Sequence, residues 1–537
     1  MPVLVGAALV RLAAASRLPP HVDEGNMLLG IQTVADKGVP LLPSGVLYIH
    51  GATISYLMAP LAWLGLLDYT DLAPLRAINA LFGAVAVWLT WKLANDVIGR
   101  PWAAFAAASL VAFDPFNVLW GGFIRMYALL QVFAILAIWA FIRAIRSDDD
   151  TPVARRERRR WLGVLAASIW LAVFTQVVGS LLLLPFGLVA LVIFGQRLLT
   201  DRRDLTVTLA LSALAPAAFL GLSTFVGYGS TTTRMQQPDQ LPGASFLGDD
   251  ALDFQQFLNP MLTGWHELFF GGPVSELIPL VIVLASGVVL ARWLLGAQRD
   301  DDRASQRSLG TLLVVFWTPV LLFAFFVGEQ KPRYLLDIQS AGWILVAAMM
   351  AAIARARITP EWPKWIGLAS LAALLAAHIA GGLWVLPSLG LQQTQAGIVP
   401  ALAYVRDHRG PDDITIVGST PEAWLMLGND QPMYAMGGVL ERPGSTQAGE
   451  KIDDWVGWQV IDTPSDLCPL LVSGHEAWFV LGQNRIDPGR PSSEITLGAT
   501  DVVLTTQDGF SVLRSRPAAE WDARAVQLCK QKAGGAS

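Results

Sequence analysis

Apolar residues recur in runs of about 20 between residues 2 and 387, and short polar loops separate the runs. A helical run of this length can cross the hydrocarbon core of a bilayer. The pattern therefore predicts a mainly α, polytopic membrane domain over residues 1–387. We expect eleven spans, at residues 2–18, 74–98, 102–120, 122–143, 161–178, 180–196, 205–226, 273–295, 309–328, 335–354 and 365–387.

The segment between the first two predicted spans, residues 19–73, is long and only partly apolar. Residues 25–37 are typical of a short amphipathic helix that ends at Gly38. Residues 46–67 are apolar but contain His50 and other polar side chains. We therefore expect an interfacial or re-entrant helix there.

The first apolar segment, residues 2–18, fits two interpretations. It is compatible with a membrane helix or with a cleaved signal peptide, and Arg11 interrupts both patterns. Either interpretation places the residues that follow, including Asp23, outside the cytoplasm.

Composition agrees with a membrane protein. The chain has 537 residues, of which 53% are hydrophobic and 15% are charged, and its mean hydropathy is +0.47. Soluble proteins have about 25% charged residues. The basic residues form short clusters beside apolar runs, which argues against nucleic-acid binding.

Basic residues are concentrated in alternate loops, which predicts the orientation of the spans. The basic loops hold Arg146, Arg155, Arg156, Arg158, Arg159, Arg160, Arg197, Arg202, Arg203, Arg299, Arg303, Arg307, Arg355, Arg357 and Lys364. Because such loops remain in the cytoplasm, the N-terminus is predicted to lie in the cytoplasm. The segments predicted outside are residues 19–73, 114–121, 227–272, 329–334 and 388–537.

From residue 388 the pattern changes to short apolar runs between turns. Continuous apolar runs bounded by turn residues are typical of buried strands, and Asp-Gly between two runs is a hairpin signal. We expect strands at residues 414–418 and 477–481, a hairpin around Asp508-Gly509, and helices at residues 398–409 and 519–530. The pattern predicts an extracytoplasmic α/β domain over residues 388–537.

The two cysteines of the chain, Cys468 and Cys529, both lie in this second domain. Two cysteines outside the cytoplasm can form a disulfide bond. The sequence leaves their geometry open.

Asp23 and Glu24 are adjacent acids that directly follow the first apolar segment. Ionisable groups next to or within a membrane are costly, so they are candidates for function. The alternative is a helix cap, because aspartate before an apolar run is a good N-cap.

Further polar residues are expected at the same side of the membrane. Asp114 ends the third span, Arg125 and Tyr127 open the fourth, and the connection before the tenth span holds Lys331, Arg333 and Tyr334. A carboxylate beside cations suits transfer from a donor with a phosphate leaving group. The carboxylate takes the proton of the nucleophile, and the cations bind the phosphate.

Three motifs resemble those of GT-C glycosyltransferases that use polyprenyl-phosphate sugars, such as protein O-mannosyltransferases and aminoarabinose transferases. The first is Arg11 and Asp23-Glu24 followed by residues 75–83, LRAINALFG; the second is residues 125–129, RMYAL; the third is residues 331–336, KPRYLL. The resemblance covers residues 1–355. The sequence departs from the family pattern at residues 337–339, DIQ, where many members of the family have a proline.

The resemblance implies inverting transfer of a sugar from a polyprenyl-phosphate-linked donor in the membrane to an extracytoplasmic acceptor. It implies that Asp23 is the catalytic base or a metal-site acid. We assign Glu24 to metal binding or support, and a divalent metal ion is compatible with acids near phosphate. The expected donor site comprises Arg125, Tyr127, Lys331, Arg333 and Tyr334, with Asp114 and His50 in support.

Other interpretations of these residues stay open. Arg125 and Tyr127 fit interface anchors, and Lys331 and Arg333 fit basic side chains that extend from a helix end to the membrane surface. His266 and Glu267 are a weak candidate pair of metal ligands in the predicted loop 227–272.

The sequence thus favours a glycosyltransferase of the cell membrane, with the sugar and the acceptor left open. One alternative is a transporter or flippase of a polyprenyl-linked glycan, although no paired repeat is visible. Another is a non-catalytic assembly protein, which would not explain three charge clusters on one side.

Overall fold

The structure is a computed structural model of the chain. It describes residues 2–146, 151–225, 277–295, 300–326, 332–356, 359–390, 396–436, 446–447, 450–453, 455–461, 463–482, 491–506 and 509–533. The predicted loop 227–272, with His266 and Glu267, lies outside the described residues, and so does Lys331.

The first part of the helical domain comprises seven helices. These are α1 (Pro2–Arg17), α2 (Val22–Lys37), α3 (Ala52–Trp63), α4 (Ala73–Ile98), α5 (Pro101–Phe113), α6 (Pro115–Gly122) and α7 (Tyr127–Arg146). Helix α2 ends where Gly38 adopts φ +74°, a conformation that glycine reaches without strain. Helix α3 is short and leaves Trp63 69% exposed, which fits the interfacial helix predicted for this segment.

The second part continues the helical domain. Its helices are α8 (Pro152–Thr175), α9 (Leu183–Phe194), α10 (Arg203–Phe225), α11 (Ile278–Leu295), α12 (Asp300–Phe326), α13 (Leu336–Arg355) and α14 (Trp362–Gly390), with 3₁₀ turns at Val177–Leu182, Gly195–Leu198 and Pro332–Leu335. Helices α7 and α13 are the most buried spans, at 78% and 83%, whereas α14 is 17% buried. The first two therefore form the centre of the domain, and α14 lies at its edge.

The predicted span 102–120 is not a continuous helix. It consists of α5 and α6, which meet at Asp114 with a bend of 53°. Pro115 cannot donate the backbone hydrogen bond that would continue α5, and the Asp114 side chain instead accepts from the Asn117 N–H at 2.9 Å as the cap of α6.

A multi-pass helical membrane protein is confirmed, but its exact number of spans is not. Among the described residues six helices are long and apolar enough to cross a bilayer, or seven if α5 and α6 count as one bent span. The count of eleven stays a prediction.

The C-terminal domain, residues 396–533, is built around a six-stranded sheet. Its elements are α15 (Ile398–His408), β1 (Ile414–Val417), α16 (Thr420–Leu427), β2 (Met433–Met436), β3 (Thr446–Gln447), β4 (Glu450–Lys451), β5 (Val460–Ile461), α17 (Pro464–Leu471), β6 (Ala477–Gly482), α18 (Pro491–Ala499), β7 (Thr500–Thr505), β8 (Phe510–Ser515) and α19 (Ala523–Ala533). The strand order is β5-β2-β1-β6-β8-β7, with β3 and β4 as a separate pair.

The central strands of this sheet run parallel, because β1 pairs in that sense with β2 and β6. Strands β7 and β8 add an antiparallel hairpin, as the Asp-Gly signal predicted. A disulfide bond joins Cys468 of α17 to Cys529 of α19, with Cα atoms 5.7 Å apart. The strands and the helix predicted at residues 398–409 are confirmed, whereas the last helix begins at Ala523 rather than at residue 519.

The C-terminal domain packs on the segment that joins α1 to α4. Its helix α16 contacts α2. The Trp455 carbonyl accepts from the Ser44 N–H at 3.4 Å, and the Trp455 ring lies 5.8 Å from that of Tyr48. The domain therefore covers the part of the chain that carries Asp23.

Candidate active site

The first turn of α2 is held by a capping box whose cap is His21. Its Nδ1 atom accepts from the Asp23 N–H at 3.0 Å, and Glu24 Oε2 accepts from the His21 N–H at 2.8 Å. The alternative assignment of Asp23 as the helix cap is therefore wrong. Since His21 satisfies the first turn, the Asp23 side chain is available for other contacts.

The Glu24 carboxylate is fully buried and engaged by protein groups. Arg76 of α4 binds it through two bonds, Nε to Oε1 at 2.9 Å and Nη2 to Oε2 at 2.5 Å. The Ile124 N–H donates to Oε1 at 2.7 Å. Together with the bond from His21, these contacts use both Glu24 oxygens to join the start of α2, helix α4 and the turn at Ile124. A metal ligand would instead have an oxygen left for the ion.

Helix α4 also holds the end of α1 and the turn at residues 123–126. Arg76 donates to the Ala15 and Pro19 carbonyls at 3.1 and 3.0 Å, which satisfies the last turn of α1. One turn further along α4, the Asn79 side chain donates to the Phe123 and Arg125 carbonyls, at 2.7 Å for Arg125. The turn at residues 123–126 is therefore anchored from both Glu24 and Asn79, and it places Arg125 near α2.

Asp23 lies between two guanidinium groups. Its Oδ2 atom is 3.2 Å from Nη2 of Arg125 and 3.6 Å from Nη2 of Arg333. Arg125 also donates to the Asp23 carbonyl at 3.1 Å. The Asp23 side chain is 25% exposed, whereas Arg125 is 8% and Arg333 is 14% exposed. A solvent-accessible carboxylate and two poorly screened cations thus share one site.

Aromatic rings enclose both guanidinium groups. Cζ of Arg333 lies 5.0 Å from the centre of the Trp120 ring, and Cζ of Arg125 lies 5.7 Å from that of Tyr127. The rings of Trp120 and Tyr127 meet edge to face, and Tyr334 lies 6.4 Å from Tyr127. Cation–π contacts orient a guanidinium group without neutralising its charge, so the cations remain able to bind an anion.

Tyr48 is a further wall of this site. Its side chain is 3% exposed and its hydroxyl lies beside Arg125. Burial raises the pKa of Tyr48 to about 12, although Arg125 opposes the shift, so the hydroxyl is neutral at physiological pH. The ring of His50 lies next, 6.5 Å from that of Tyr48, and its Nδ1 atom is 3.2 Å from Gln176 Oε1. Burial lowers the pKa of His50, which fits a neutral supporting side chain.

Asp114 belongs to a second, separate cluster inside the helical domain. Its Oδ1 atom accepts from the Gln339 side chain at 3.2 Å, and its Oδ2 atom lies 3.4 Å from His378 Nε2 of α14. The Asn117 side chain bonds to both Asp114 and Gln339. The unusual residues at 337–339 therefore supply Gln339 to a buried network that ties α6, α13 and α14 together.

The structure brings five of the predicted site residues together, namely Asp23, Arg125, Tyr127, Arg333 and Tyr334. His50 lies behind Tyr48, and Asp114 lies elsewhere. Sequence reasoning assigned no role to His21, Arg76, Asn79, Tyr48 and Trp120. The polar residues Arg76 and Asn79 within an apolar run were the signal that could have identified two of them.

The described residues around Asp23 do not fit a metal site. No group of three or more histidine, cysteine or acidic side chains with suitable geometry occurs in the described ranges. Arg76 and backbone N–H groups hold the oxygens of Glu24, and two arginines flank Asp23. Such neighbours repel a divalent cation.

Comparisons with known proteins give a family profile and several solved structures that resemble this chain. Residues 34–225 match the profile of the family described as dolichyl-phosphate-mannose-protein mannosyltransferase. The chain is also similar to ArnT from Cupriavidus metallidurans in the apo state, with 15% identity and a TM-score of 0.58 over 96% of this chain and 98% of that one. The chain has the fold of a GT-C glycosyltransferase. The resemblance drawn from the three motifs is thereby confirmed.

Two further solved structures of this fold contain lipid phosphates. ArnT from Cupriavidus metallidurans bound to undecaprenyl phosphate is 15% identical, with a TM-score of 0.57 over 97% of this chain and 98% of that chain. AglB from Archaeoglobus fulgidus, in complex with an inhibitory peptide and a dolichol-phosphate, is 12% identical, with a TM-score of 0.55 over 99% of this chain and 77% of that chain. A comparison with curated protein sequences finds no match.

Proposed function

We propose that the protein is an inverting membrane glycosyltransferase that moves a sugar from a polyprenyl-phosphate-linked donor to an acceptor outside the cytoplasm. The observation that carries the proposal is the position of Asp23 between Arg125 and Arg333. The carboxylate can serve as a base for the nucleophile, and the two cations can stabilise the charge of the leaving phosphate.

Arg125 and Arg333 are proposed to bind the donor phosphate. Both are largely buried and held over aromatic rings, so little rotamer entropy is lost when they bind an anion. Nε of Arg125 is buried and makes no hydrogen bond to any described residue, which leaves a donor for a phosphate oxygen. As the bond from the anomeric carbon to the phosphate oxygen breaks, the two guanidinium groups stabilise the charge on polyprenyl phosphate.

Asp23 is proposed to accept the proton of the acceptor hydroxyl or amine. The acceptor oxygen or nitrogen forms the new bond to the anomeric carbon from the face opposite the phosphate, and the configuration inverts. The carboxylate is 25% exposed, so an acceptor can reach it from solvent. Glu24 is proposed as a positioning residue, because its oxygens hold α2 and the turn at residues 123–126.

The proposed activity can be tested with purified protein and a panel of radiolabelled polyprenyl-phosphate sugars. We expect release of polyprenyl phosphate from one donor, with the label transferred to an acceptor. Movement of intact lipid-linked sugar across a vesicle membrane without release would instead support the transporter alternative.

Variants of the two arginines test the donor site. We expect Arg125→Ala and Arg333→Ala to weaken binding of undecaprenyl phosphate roughly 10- to 100-fold each, because each removes charge-assisted hydrogen bonds worth about 1.5–3 kcal/mol. Isothermal titration with detergent-solubilised protein measures this effect.

The matched control for these variants is Arg514→Ala. Arg514 is 52% exposed on the C-terminal sheet and pairs with Glu476, so its loss should leave affinity unchanged. If folded Arg125→Ala and Arg333→Ala bind undecaprenyl phosphate with normal affinity, both residues serve only as interface anchors.

The proposed orientation is a separate prediction, since it rests on the arginine-rich loops. We expect an impermeant maleimide to label Ser473→Cys in intact cells, and Arg156→Cys only after permeabilisation. Both positions are exposed, and the native cysteines are paired with each other. Labelling of both variants from the same side would contradict the orientation.

A further inference from the structure

The C-terminal domain places a third acid, Glu422, against the first turn of α2. Glu422 lies on α16 and is fully buried. It lies beside Gly25, where a Cβ atom would be only 2.7 Å from Glu422 Oε1 and 3.2 Å from Pro421 Cβ. The glycine at residue 25, two residues from Asp23, therefore lets α16 pack this closely without displacing Glu422 or Pro421.

The Glu422 carboxyl is poorly satisfied in this interface. Neither of its oxygens has a hydrogen-bond partner of standard geometry among the residues that the structure describes, and the same holds for the Tyr69 hydroxyl, which belongs to the same buried group. A buried carboxylate without hydrogen bonds is costly, whereas its uncharged form is tolerated.

The charged groups around Glu422 come from three elements. Helix α2 contributes Asp23, and the loop before β5 contributes Asp453, which accepts from the Thr420 hydroxyl at 3.0 Å. Across Tyr69 lie Glu24 and Arg76, whose charges balance each other. The two charges that act directly on Glu422 are thus both negative.

Burial raises the pKa of Glu422 to about 7; the backbone N–H of Glu422 and the Ser419 side chain oppose the shift, while Asp23 and Asp453 add to it. Its usual value is about 4.5. The side chain therefore changes charge within the physiological range while it lies against α2.

We propose that Glu422 controls binding of the donor phosphate through its own charge, next to Asp23. In its uncharged form it allows the C-terminal domain to pack on α2, and in its ionised form it adds a second negative charge beside Asp23 and weakens binding of the donor phosphate. This inference rests on the proposed function. It makes the C-terminal domain part of the donor site, since it supplies a charge that acts on the phosphate.

Binding of undecaprenyl phosphate to the full-length protein in nanodiscs, between pH 5.5 and 8.5, tests the proposal. The phosphate itself changes charge near pH 6, so the informative quantity is the ratio of Kd for the wild type to Kd for Glu422→Gln at each pH. We expect a ratio near 1 at pH 5.5 and roughly 3- to 30-fold at pH 8.5, from one added charge at short range.

Two additional variants separate charge from packing. Glu422→Leu is also uncharged and similar in size, and its advantage in Kd over the wild type should grow with pH as that of Glu422→Gln does. Glu494→Gln, on the surface of the same domain and paired with Arg524, should behave as the wild type.

Thermal unfolding supplies a readout that does not depend on the donor. Because the folded pKa of Glu422 lies above its usual value of about 4.5, the contribution of its carboxyl to stability is fully present below pH 4.5 and is lost as pH rises through 7. The midpoint of Glu422→Gln should therefore exceed that of the wild type by a margin that grows from pH 5.5 to 8.5.

The possible outcomes are distinguishable. A Kd ratio that does not change with pH, in proteins that bind the probe, overturns the role of Glu422 and leaves the proposed function intact. Absence of binding in every variant at every pH overturns the proposed function, and this inference with it.

Discussion

Replacement of Asp23 by asparagine is expected to lower turnover roughly 10²- to 10⁴-fold, the usual range for the loss of one acid–base group. Asparagine has nearly the same shape as aspartate but cannot accept the proton of the nucleophile. Donor binding should remain normal or become tighter, because a negative charge is removed from between Arg125 and Arg333. Single-turnover kinetics with saturating donor measure the effect separately from binding.

The structure sharpens this test, since His21 rather than Asp23 caps α2. Asp23→Asn should therefore keep the cap of α2, and any fall in the midpoint of thermal unfolding comes from the lost charge between Arg125 and Arg333. The matched control is Glu476→Gln, an acid of the C-terminal domain that pairs with Arg514. Near-normal turnover by folded Asp23→Asn would remove the catalytic assignment.

Replacement of Glu24 by glutamine is expected to destabilise the protein by about 3–5 kcal/mol, the range for removal of one partner of a buried ion pair. The change leaves the charge of Arg76 buried without its partner and weakens the bonds to His21 and Ile124. Activity should fall with stability, because the turn at residues 123–126 holds Arg125. Chemical denaturation in detergent and turnover at low temperature measure the two effects.

The double variant Glu24→Gln with Arg76→Gln provides the control for this prediction. Since it also removes the unpaired buried charge, it should lose less stability than the sum of the two single variants. A stable Glu24→Gln protein whose activity returns on addition of a divalent metal ion would instead support Glu24 as a metal ligand.

The positions of the helices were predictable from sequence because a bilayer imposes long apolar runs. The break between α5 and α6 at Asp114 was not predictable, because the apolar run continues through it and only Pro115 marks the bend. The start of α2 was predicted three residues late, because the capping role of His21 depends on its Nδ1 atom reaching the Asp23 N–H.

The chemistry of the site was more predictable than its connections. Asp23, Arg125 and Arg333 stand out because charges beside a membrane are costly. Nothing in the sequence indicated that Arg76 is the partner of Glu24, because the two residues are 52 positions apart and only packing brings them together. The same reason explains Asp114, whose contacts with Gln339 and His378 draw it into a different cluster from Asp23.

The most direct test of the account is a cryo-electron microscopy structure of the full chain with undecaprenyl phosphate bound. We expect the phosphate to contact both Arg125 and Arg333, with oxygens about 2.7–2.9 Å from their guanidinium nitrogens. A phosphate bound elsewhere, with Asp23 still paired to both arginines, would contradict the proposed active site.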